Sequence, residues 1–168
     1  GLSMPQIAAE MTTGFADLPA VLARLRDENK ALRRDLRQAQ AQALAHEAET
    51  LWAASEQTGG VRLVLVAFAD RDAGELRPLV QQVIAHPSTV MVCAASGAKA
   101  QLIAARSEDV ALDMVTVLKR GLAVWGIERG GGRPSFAQGG GSDVSAAQAQ
   151  AALQAAADYI RQAGTSHE

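Results

Sequence analysis

The sequence contains little of what several functional classes require. Its single cysteine, Cys93, excludes an intrachain disulfide and any cysteine-rich zinc site. Aromatic residues make up only 4% of the chain, so the core must be built from alanine, valine, leucine and isoleucine. A lone cysteine fits a protein of the reducing cytoplasm, which is the location we predict.

The chain also has neither a strong net charge nor a long apolar run. It carries 16 basic and 18 acidic side chains, a net charge of −2, which argues against binding polyanions over its whole surface. Any contact with nucleic acid must therefore come from a local patch of basic residues. No apolar run approaches the roughly 20 residues that span a bilayer, so we predict no membrane partner.

Residue combinations typical of enzymes are missing as well. The histidines His46, His86 and His167 are far apart, and there is no H-x-x-x-H or C-x-x-x-H pair, so no zinc site is expected. The sequence has no nucleophile elbow, no Walker loop and no dinucleotide-binding glycine motif after a strand. Cys93 falls in a predicted buried strand, where an inert core thiol is commoner than a nucleophile. We expect no catalytic residues and no cofactor in this chain.

What the sequence does contain is a glycine-rich segment at residues 129–141, RGGGRPSFAQGGG. Six of the chain's 15 glycines lie here, in two triplets. Two interpretations are open. Successive N–H groups could form an anion-binding nest beside Arg129 and Arg133, or the segment could be a tightly packed structural corner.

The first third of the chain predicts a helical arm. A short helix is expected at residues 5–11, and nothing breaks a longer helix from about residue 17 to residue 57. Apolar residues in the longer helix alternate spacings of four and three, the heptad pattern of a coiled coil or a helical hairpin. We call the predicted dimerisation positions the leucine seam: Leu22, Leu25, Asn29, Leu32 and Leu36.

A stripe of basic residues runs beside the leucine seam. We call it the basic stripe, and its members are spaced four, three and four apart: Arg26, Lys30, Arg33 and Arg37. Like charges at such spacings destabilise an isolated helix by roughly 0.2–0.5 kcal/mol per pair. The stripe is either the solvated face of a coiled coil or a surface that follows RNA phosphates, and the repulsions slightly favour the second.

Residues 61–168 predict a globular α/β domain that follows an arm at residues 1–58, with Gly59 and Gly60 ending the arm helix. A strand at 61–68, a helix within 70–86 and a strand at 89–95 form a βαβ unit. A tight turn leads to a third, antiparallel strand at 100–106. The fold class is therefore α/β with a small mixed sheet of three to five strands covered by helices.

Two further helices are predicted to enclose the glycine-rich segment. Ser107 is expected to cap the first, with acidic residues in its first turn, and Gly121 is expected to allow close packing. Ser145 and Gln148 form an S-x-x-Q capping box that begins the last helix.

The segment GGGRPSFAQGGG resembles the GGGRPDMAQGGG signature found near the C-terminus of alanyl-tRNA synthetases and in free-standing alanyl-tRNA editing proteins. It departs from that signature at Ser135 and Phe136, where the family has Asp and Met. The segments LPAVLARLRDENKALRRDLR and SEDVALDMVTVLKRG resemble the same family in the same order, so the likeness covers residues 18–161. The signature belongs to the DHH-associated domain, which is shared more distantly with DHH phosphoesterases.

This resemblance implies a C-terminal part of a longer protein, in which the arm promotes homodimerisation and the globular part helps hold tRNA(Ala). The longer protein would be an editing protein that hydrolyses tRNA(Ala) mischarged with serine or glycine, slightly favoured by the wording EDVALDM, or an alanine–tRNA ligase. It would bind zinc, and ATP if it is a ligase. The metal-binding residues of the family's editing domain have no counterpart in this chain.

Under this resemblance, RNA or anion contacts are expected on the basic stripe and in the glycine-rich segment, with Phe136 as a ring that could stack on a base. The segment's candidates are Arg129, Gly130, Gly131, Gly132, Arg133, Phe136 and Gln138. Two alternatives remain. The chain could be a purely structural dimerisation module, which the net charge favours. It could also be a nucleotide-binding domain of a DHH-type phosphoesterase, although Arg133 occupies the position of that group's phosphate-binding histidine.

Overall fold

The structure is a computed structural model, and it describes residues 16–165. The predicted short helix at residues 5–11 and His167 lie outside the described residues. Contacts within the chain divide it into two compact units, residues 1–43 and 44–168.

The first unit is formed by the greater part of α1, the helix Leu18–Ala53. Its described residues are almost all exposed, including every position of the leucine seam. Leu25 is 53% exposed and Leu32 is 68% exposed. The arm helix therefore presents the predicted seam to solvent in a single copy of the chain.

The last turns of α1 belong to the second unit because they carry an apolar face of a different kind. Ala48 is buried, and three larger side chains on the same face pack against the core: Leu44, Leu51 and Trp52. The indole Nε1 of Trp52 donates to Thr89 Oγ1 at 3.1 Å, and its ring stacks on His86 at 4.2 Å between centroids. The helix thus joins the globular unit from Leu44 onward.

Within residues 16–165, six strands form one sheet in the order β1-β2-β3-β4-β6-β5. The strands are β1 (Glu56–Thr58), β2 (Val61–Ala69), β3 (Thr89–Ser96), β4 (Gln101–Arg106), β5 (Gly130–Arg133) and β6 (Phe136–Gly140). Only β2 and β3 pair in parallel, and every other neighbouring pair is antiparallel. The predicted mixed α/β sheet is confirmed, with one strand more than the predicted upper limit.

The turn at Gly59 and Gly60 differs from the prediction. The helix ends earlier, at Ala53, and these two glycines connect β1 to β2 in an antiparallel hairpin. Both have positive φ, +54° and +80°, which is the conformation such a turn needs. A glycine pair is equally compatible with a helix end and a hairpin turn, so the sequence pattern did not distinguish them.

Helices cover both faces of the sheet. They are α2 (Ala73–Ile84), α3 (Met114–Val124) and α4 (Ala146–Thr165). One core contains α3 and α4, and the other contains α2 with the end of α1. Along β3, Val90, Val92 and Ala94 belong to the first core, while Met91 and Cys93 belong to the second. A strand buried on both faces explains the unbroken apolar run in the sequence.

The predicted cap at Ser107 is wrong. Helix α3 begins at Met114, and its N-cap is Asp113, whose side chain accepts from the Val115 N–H at 3.0 Å. Ser107 instead extends the pairing of β4 with β3: its N–H donates to the Thr89 carbonyl, and its hydroxyl accepts from the Thr89 N–H at 3.0 Å. Those bonds hold Ser107 beside β3, so no helix can begin there.

Two other local predictions are confirmed. A Cβ at Gly121 would lie 2.5 Å from Leu102 Cδ2, so this glycine does permit close packing of α3 on the sheet. At the start of α4, the Gln148 N–H donates to Ser145 Oγ at 3.2 Å, and the Ser145 N–H donates to Gln148 Oε1 at 2.9 Å. These reciprocal bonds form the predicted capping box.

Candidate nucleic-acid interface

The glycine-rich segment forms the β5–β6 hairpin at one end of the sheet, where the sequence predicted a loop. Pro134 and Ser135 are its turn, and the carbonyls of both are used: Pro134 O accepts from the Met114 N–H and Ser135 O from the Arg106 N–H. Strand β6 also pairs with β4. Most of the segment's backbone is therefore engaged in the fold and does not form a free loop of N–H groups.

Packing accounts for most of the glycines in this hairpin. A Cβ at Gly130 would lie 2.5 Å from Leu122 Cδ1, and one at Gly139 would lie 2.7 Å from the same atom. At Gly132 and Gly140 the φ angles are +151° and +146°, and a Cβ would collide with the carbonyl oxygens of Phe136 and Ala100. These positions support the structural-corner interpretation of the segment.

Gly131 is different from its neighbours. Its φ angle lies outside the left-handed region, and apart from Gly131 and its two chain neighbours no described residue has a heavy atom within 4 Å of a Cβ placed there. Gly131 is directly opposite Gln138 in the register of β5 and β6. Packing of the described fold therefore does not require glycine at position 131. The lack of a side chain there leaves an open surface.

This open surface is on the face of the sheet that α2 covers. Directly opposed residues of an antiparallel pair share a face, so Gly131 lies beside Gln138 and Arg133 beside Phe136. Phe136 packs against the core that contains α2. The Arg77 Nε, from α2, donates to Gln138 Oε1 at 2.7 Å. The hairpin residues on this face thus meet a basic side chain that was not predicted from the sequence.

No pattern in the sequence could have predicted that Arg77 lies beside the β5–β6 hairpin. It is separated from Gln138 by 61 positions, and it belongs to no motif. The two side chains come together through the tertiary fold, because the strand order puts β6 next to β4, a strand that α2 contacts.

The predicted arginines of the hairpin are available for contact. Arg129 and Arg133 are exposed, and neither side chain forms a hydrogen bond or ion pair with another described residue. Phe136 is half-buried, because its ring packs against the core on the α2 face, so only part of that ring faces solvent.

The basic stripe lies in the other unit, on α1. All four of its side chains are exposed, in a shallow groove that they share with Leu22, Leu25 and Asn29. None of the four forms an ion pair with another described residue. The stripe thus has the solvent access that either interpretation of it requires.

Two titratable groups outside these surfaces, Asp109 and Cys93, take part in the fold. Asp109 accepts from the Ser107 hydroxyl and from the N–H and hydroxyl of Ser88, and these hydrogen bonds hold the pKa of its carboxyl below the usual value. Burial raises the pKa of the Cys93 thiol to about 12.

Within residues 16–165, no group of three or more histidine, cysteine, aspartate or glutamate side chains is placed to hold a metal ion. None of the described helices is long and apolar enough to cross a membrane.

The sheet and its helices match a known family. The family model for the DHHA1 domain matches residues 60–162, which include the whole β5–β6 hairpin. The chain belongs to the DHHA1 domain family. The relationship inferred from the glycine signature is therefore confirmed.

Proteins with curated names extend the similarity into the arm. The chain is 34% identical over 161 residues to an alanine–tRNA ligase of Jannaschia sp. (strain CCS1), covering 94% of this chain and 18% of that protein. It is 29% identical over 167 residues to the alanine–tRNA ligase of Bordetella avium (strain 197N), with coverages of 95% and 18%. The chain thus spans about a fifth of the length of the curated relatives it matches.

Solved structures share the fold at low sequence identity. The C-Ala domain of Aquifex aeolicus alanyl-tRNA synthetase aligns with a TM-score of 0.50 at 23% identity, over 64% of this chain and 95% of that one. RecJ from Thermus thermophilus, in complex with Mg²⁺, aligns with a TM-score of 0.54 at 15% identity, over 77% of this chain and 20% of that one. The same fold is therefore present in proteins with different names.

Proposed function

We propose that this chain is a non-catalytic tRNA-binding and dimerisation region of a protein related to alanine–tRNA ligase. It would help present misacylated tRNA(Ala) to an editing domain that lies outside this chain. The observation that carries the proposal is that the similarity to alanine–tRNA ligases covers both the arm and the sheet, at 94% of the chain. A similarity confined to the DHHA1 domain would say nothing of the arm.

Exposed cations support the RNA-binding part of the proposal. Each unit offers its own set: the basic stripe on α1, and Arg129 and Arg133 at the β5–β6 hairpin. Arginine and lysine side chains that neutralise phosphates supply most of the sequence-independent affinity for nucleic acid. A net charge of −2 for the chain does not oppose this, because local patches act within a Debye length of about 8 Å at physiological salt.

The leucine seam supports the dimerisation part. Its leucines are between 49% and 68% exposed, and they follow a heptad pattern interrupted only by Asn29. A second copy of the same helix would bury these leucines in knobs-into-holes packing, and a polar residue within such a seam fixes the register.

The whole protein would be an editing protein or an alanine–tRNA ligase of the cytoplasm. Zinc, and ATP in the case of a ligase, would then be bound by its other domains, and this chain would contribute RNA contacts and the dimer interface. Catalysis would require those domains.

A filter-binding titration with a tRNA(Ala) transcript tests RNA binding. We expect the affinity of the chain to fall steeply between about 50 and 200 mM salt, because counterions are released from the phosphates on binding. The double variant Arg33→Ala/Arg133→Ala should weaken binding about 10- to 100-fold and reduce the salt slope by about 2.

The matched control for this titration removes two charges elsewhere. Lys99 and Lys119 are exposed, and the double variant Lys99→Ala/Lys119→Ala has the same net charge as the test variant. It should bind like wild type. Equal losses in the two double variants would contradict the assignment to Arg33 and Arg133. A chain that dimerises without any tRNA affinity would instead be a purely structural module.

A further inference from the structure

We propose that Arg77 of α2 is a further RNA contact, and that a phosphate of the RNA backbone lies on the α2 face of the β5–β6 hairpin, over Gly131. This inference rests on the proposed RNA-binding function. It adds to that function the face of the sheet, a contact residue distant in sequence, and the chemical group that is recognised.

Arg77 is held in an orientation suited to a phosphate. Its hydrogen bond to Gln138 uses Nε and fixes the guanidinium plane, at a distance of 2.7 Å. Among the described residues, its two terminal nitrogens have no hydrogen-bond or ion-pair partner, and the residue is exposed. A guanidinium group oriented in this way can donate two parallel hydrogen bonds to one phosphate.

Gly131 provides the surface on which that phosphate would rest. It lies directly opposite Gln138, the residue that positions Arg77. Because no described atom occupies the space where a Cβ would be, a ligand can approach the main chain there. The other glycines of the hairpin have packing or backbone reasons to be glycine, and Gly131 has neither.

The two faces of the hairpin are not equivalent. On the α3 face, Leu122 fills the space beside Gly130 and Gly139, and Leu118 lies within 3.2 Å of a Cβ at Gly130. On the α2 face, the register places Arg133 near Gly131, and Arg129 directly precedes β5. The α3 face is thus closed by leucines, and the α2 face is open and basic.

The chemistry of this face favours the RNA backbone over a base. Guanidinium groups pair with phosphate oxygens regardless of sequence, whereas reading a base in a single strand usually requires an aromatic platform. The only aromatic ring of the hairpin, Phe136, is half-buried against the core. We therefore expect binding here to depend on salt and only weakly on the RNA sequence.

The test is a filter-binding titration of the full chain with a tRNA(Ala) transcript across a series of salt concentrations. Arg77→Met should weaken binding about tenfold, the loss of one charge-assisted contact, and lower the salt slope by about 1. Gly131→Leu should cause a loss of similar size and also lower the salt slope, although it removes no charge, because its side chain would keep the phosphate off the open surface.

Two controls match these variants. Lys119→Met removes one charge at an exposed position of α3, and Ala147→Leu adds apolar atoms at an exposed position of α4. Both should bind like wild type. Gln138→Met keeps every charge but releases Arg77, and we expect it to lower the affinity by a few-fold. Thermal melts of all variants check that each one is folded.

The outcomes separate this inference from the function on which it rests. If wild type binds tRNA(Ala) while folded Arg77→Met and Gly131→Leu bind equally well, the RNA lies elsewhere and the inference is overturned, but the proposed function stands. If Gly131→Leu does not fold, Arg77→Met and Gln138→Met decide the question by themselves. If wild type binds no tRNA at physiological salt, both proposals fail together.

Discussion

Single residues of the β5–β6 hairpin divide into those that shape the hairpin and those that leave a surface open. Gly140 belongs to the first group, because its backbone is at φ +146° and its α-carbon faces the Ala100 carbonyl. Gly131 belongs to the second, with ordinary backbone geometry and free space above it. The same residue type in the same motif therefore has two separable roles.

Substituting these two glycines by alanine should give different stabilities. Gly140→Ala would place a Cβ against the Ala100 carbonyl in a backbone region that disfavours side chains, and we expect it to lower the free energy of unfolding by about 2 kcal/mol or more. Gly131→Ala should change it by less than about 0.5 kcal/mol. Urea unfolding followed by circular dichroism measures both, and equal midpoints for the two variants would contradict the assignment.

Cys93 should be unreactive in the folded chain. It is fully buried in β3, and burial raises the pKa of its thiol to about 12, so the reactive thiolate is suppressed below that pH. In the unfolded chain the thiol ionises near its ordinary pKa, so raising the pH from about 7 to about 9 should accelerate its reaction there but not in the native chain.

The measurement for Cys93 is the reaction with a chromogenic disulfide reagent, with and without urea. One thiol per chain should react quickly in urea and only at the rate of unfolding without it. Rapid labelling of the native chain at about pH 8 would show that the β3 core opens more readily than its burial indicates.

At the level of whole elements, the sequence patterns predicted those whose signal is local. The apolar runs of β2 and β3, the heptad pattern of α1 and the capping box of α4 each lie within a few residues. The hairpin strands were not predicted, because GGGR and FAQGG have neither alternation nor β-branched residues. These strands exist through pairing with β4 and packing on Leu122, which are contacts distant in sequence.

The start of α3 shows that a local sequence signal can also predict an element boundary that the tertiary structure does not have. Ser107, Glu108 and Asp109 have the composition of a helix N-terminus, and that composition predicted a helix start well before Met114. Ser107 accepts from the N–H of Thr89, the first residue of β3, and Asp109 accepts from the N–H of Ser88, the residue before it, so both side chains are bound at the start of that strand. A tertiary contact overrode a local preference.

The arm should control the oligomeric state. Leu25→Lys/Leu32→Lys places two charges in the leucine seam and should convert a dimer into a monomer, because knobs-into-holes packing cannot accommodate them. Ala23→Lys/Gln38→Lys adds the same charges on the opposite side of the same helix and should leave the dimer intact.

Sedimentation velocity measures both arm variants at equal concentrations, and circular dichroism checks that the helix persists. A monomeric wild-type chain, or equal dissociation in the two variants, would contradict dimerisation through the leucine seam.

For the molecule as a whole, the family and the fold class could be inferred from the sequence, whereas the composition of the candidate site could not. The motif pointed to Arg129, Arg133 and Gln138. It could not point to Arg77, which reaches Gln138 only after the sheet has assembled across 61 positions. Nor could it tell which glycines are structural, because that depends on the positions of Leu122 and Ala100.

The packing of the hairpin glycines has a consequence for how such proteins diverge. Selection for a stable sheet alone would keep Gly130, Gly132, Gly139 and Gly140, even in a descendant that had lost every ligand. The glycine signature would then indicate common ancestry, and it would not indicate a common ligand. A change of ligand would instead appear as substitutions at Gly131 and at the position of Arg77, because packing of the fold does not constrain the residue type at these two positions.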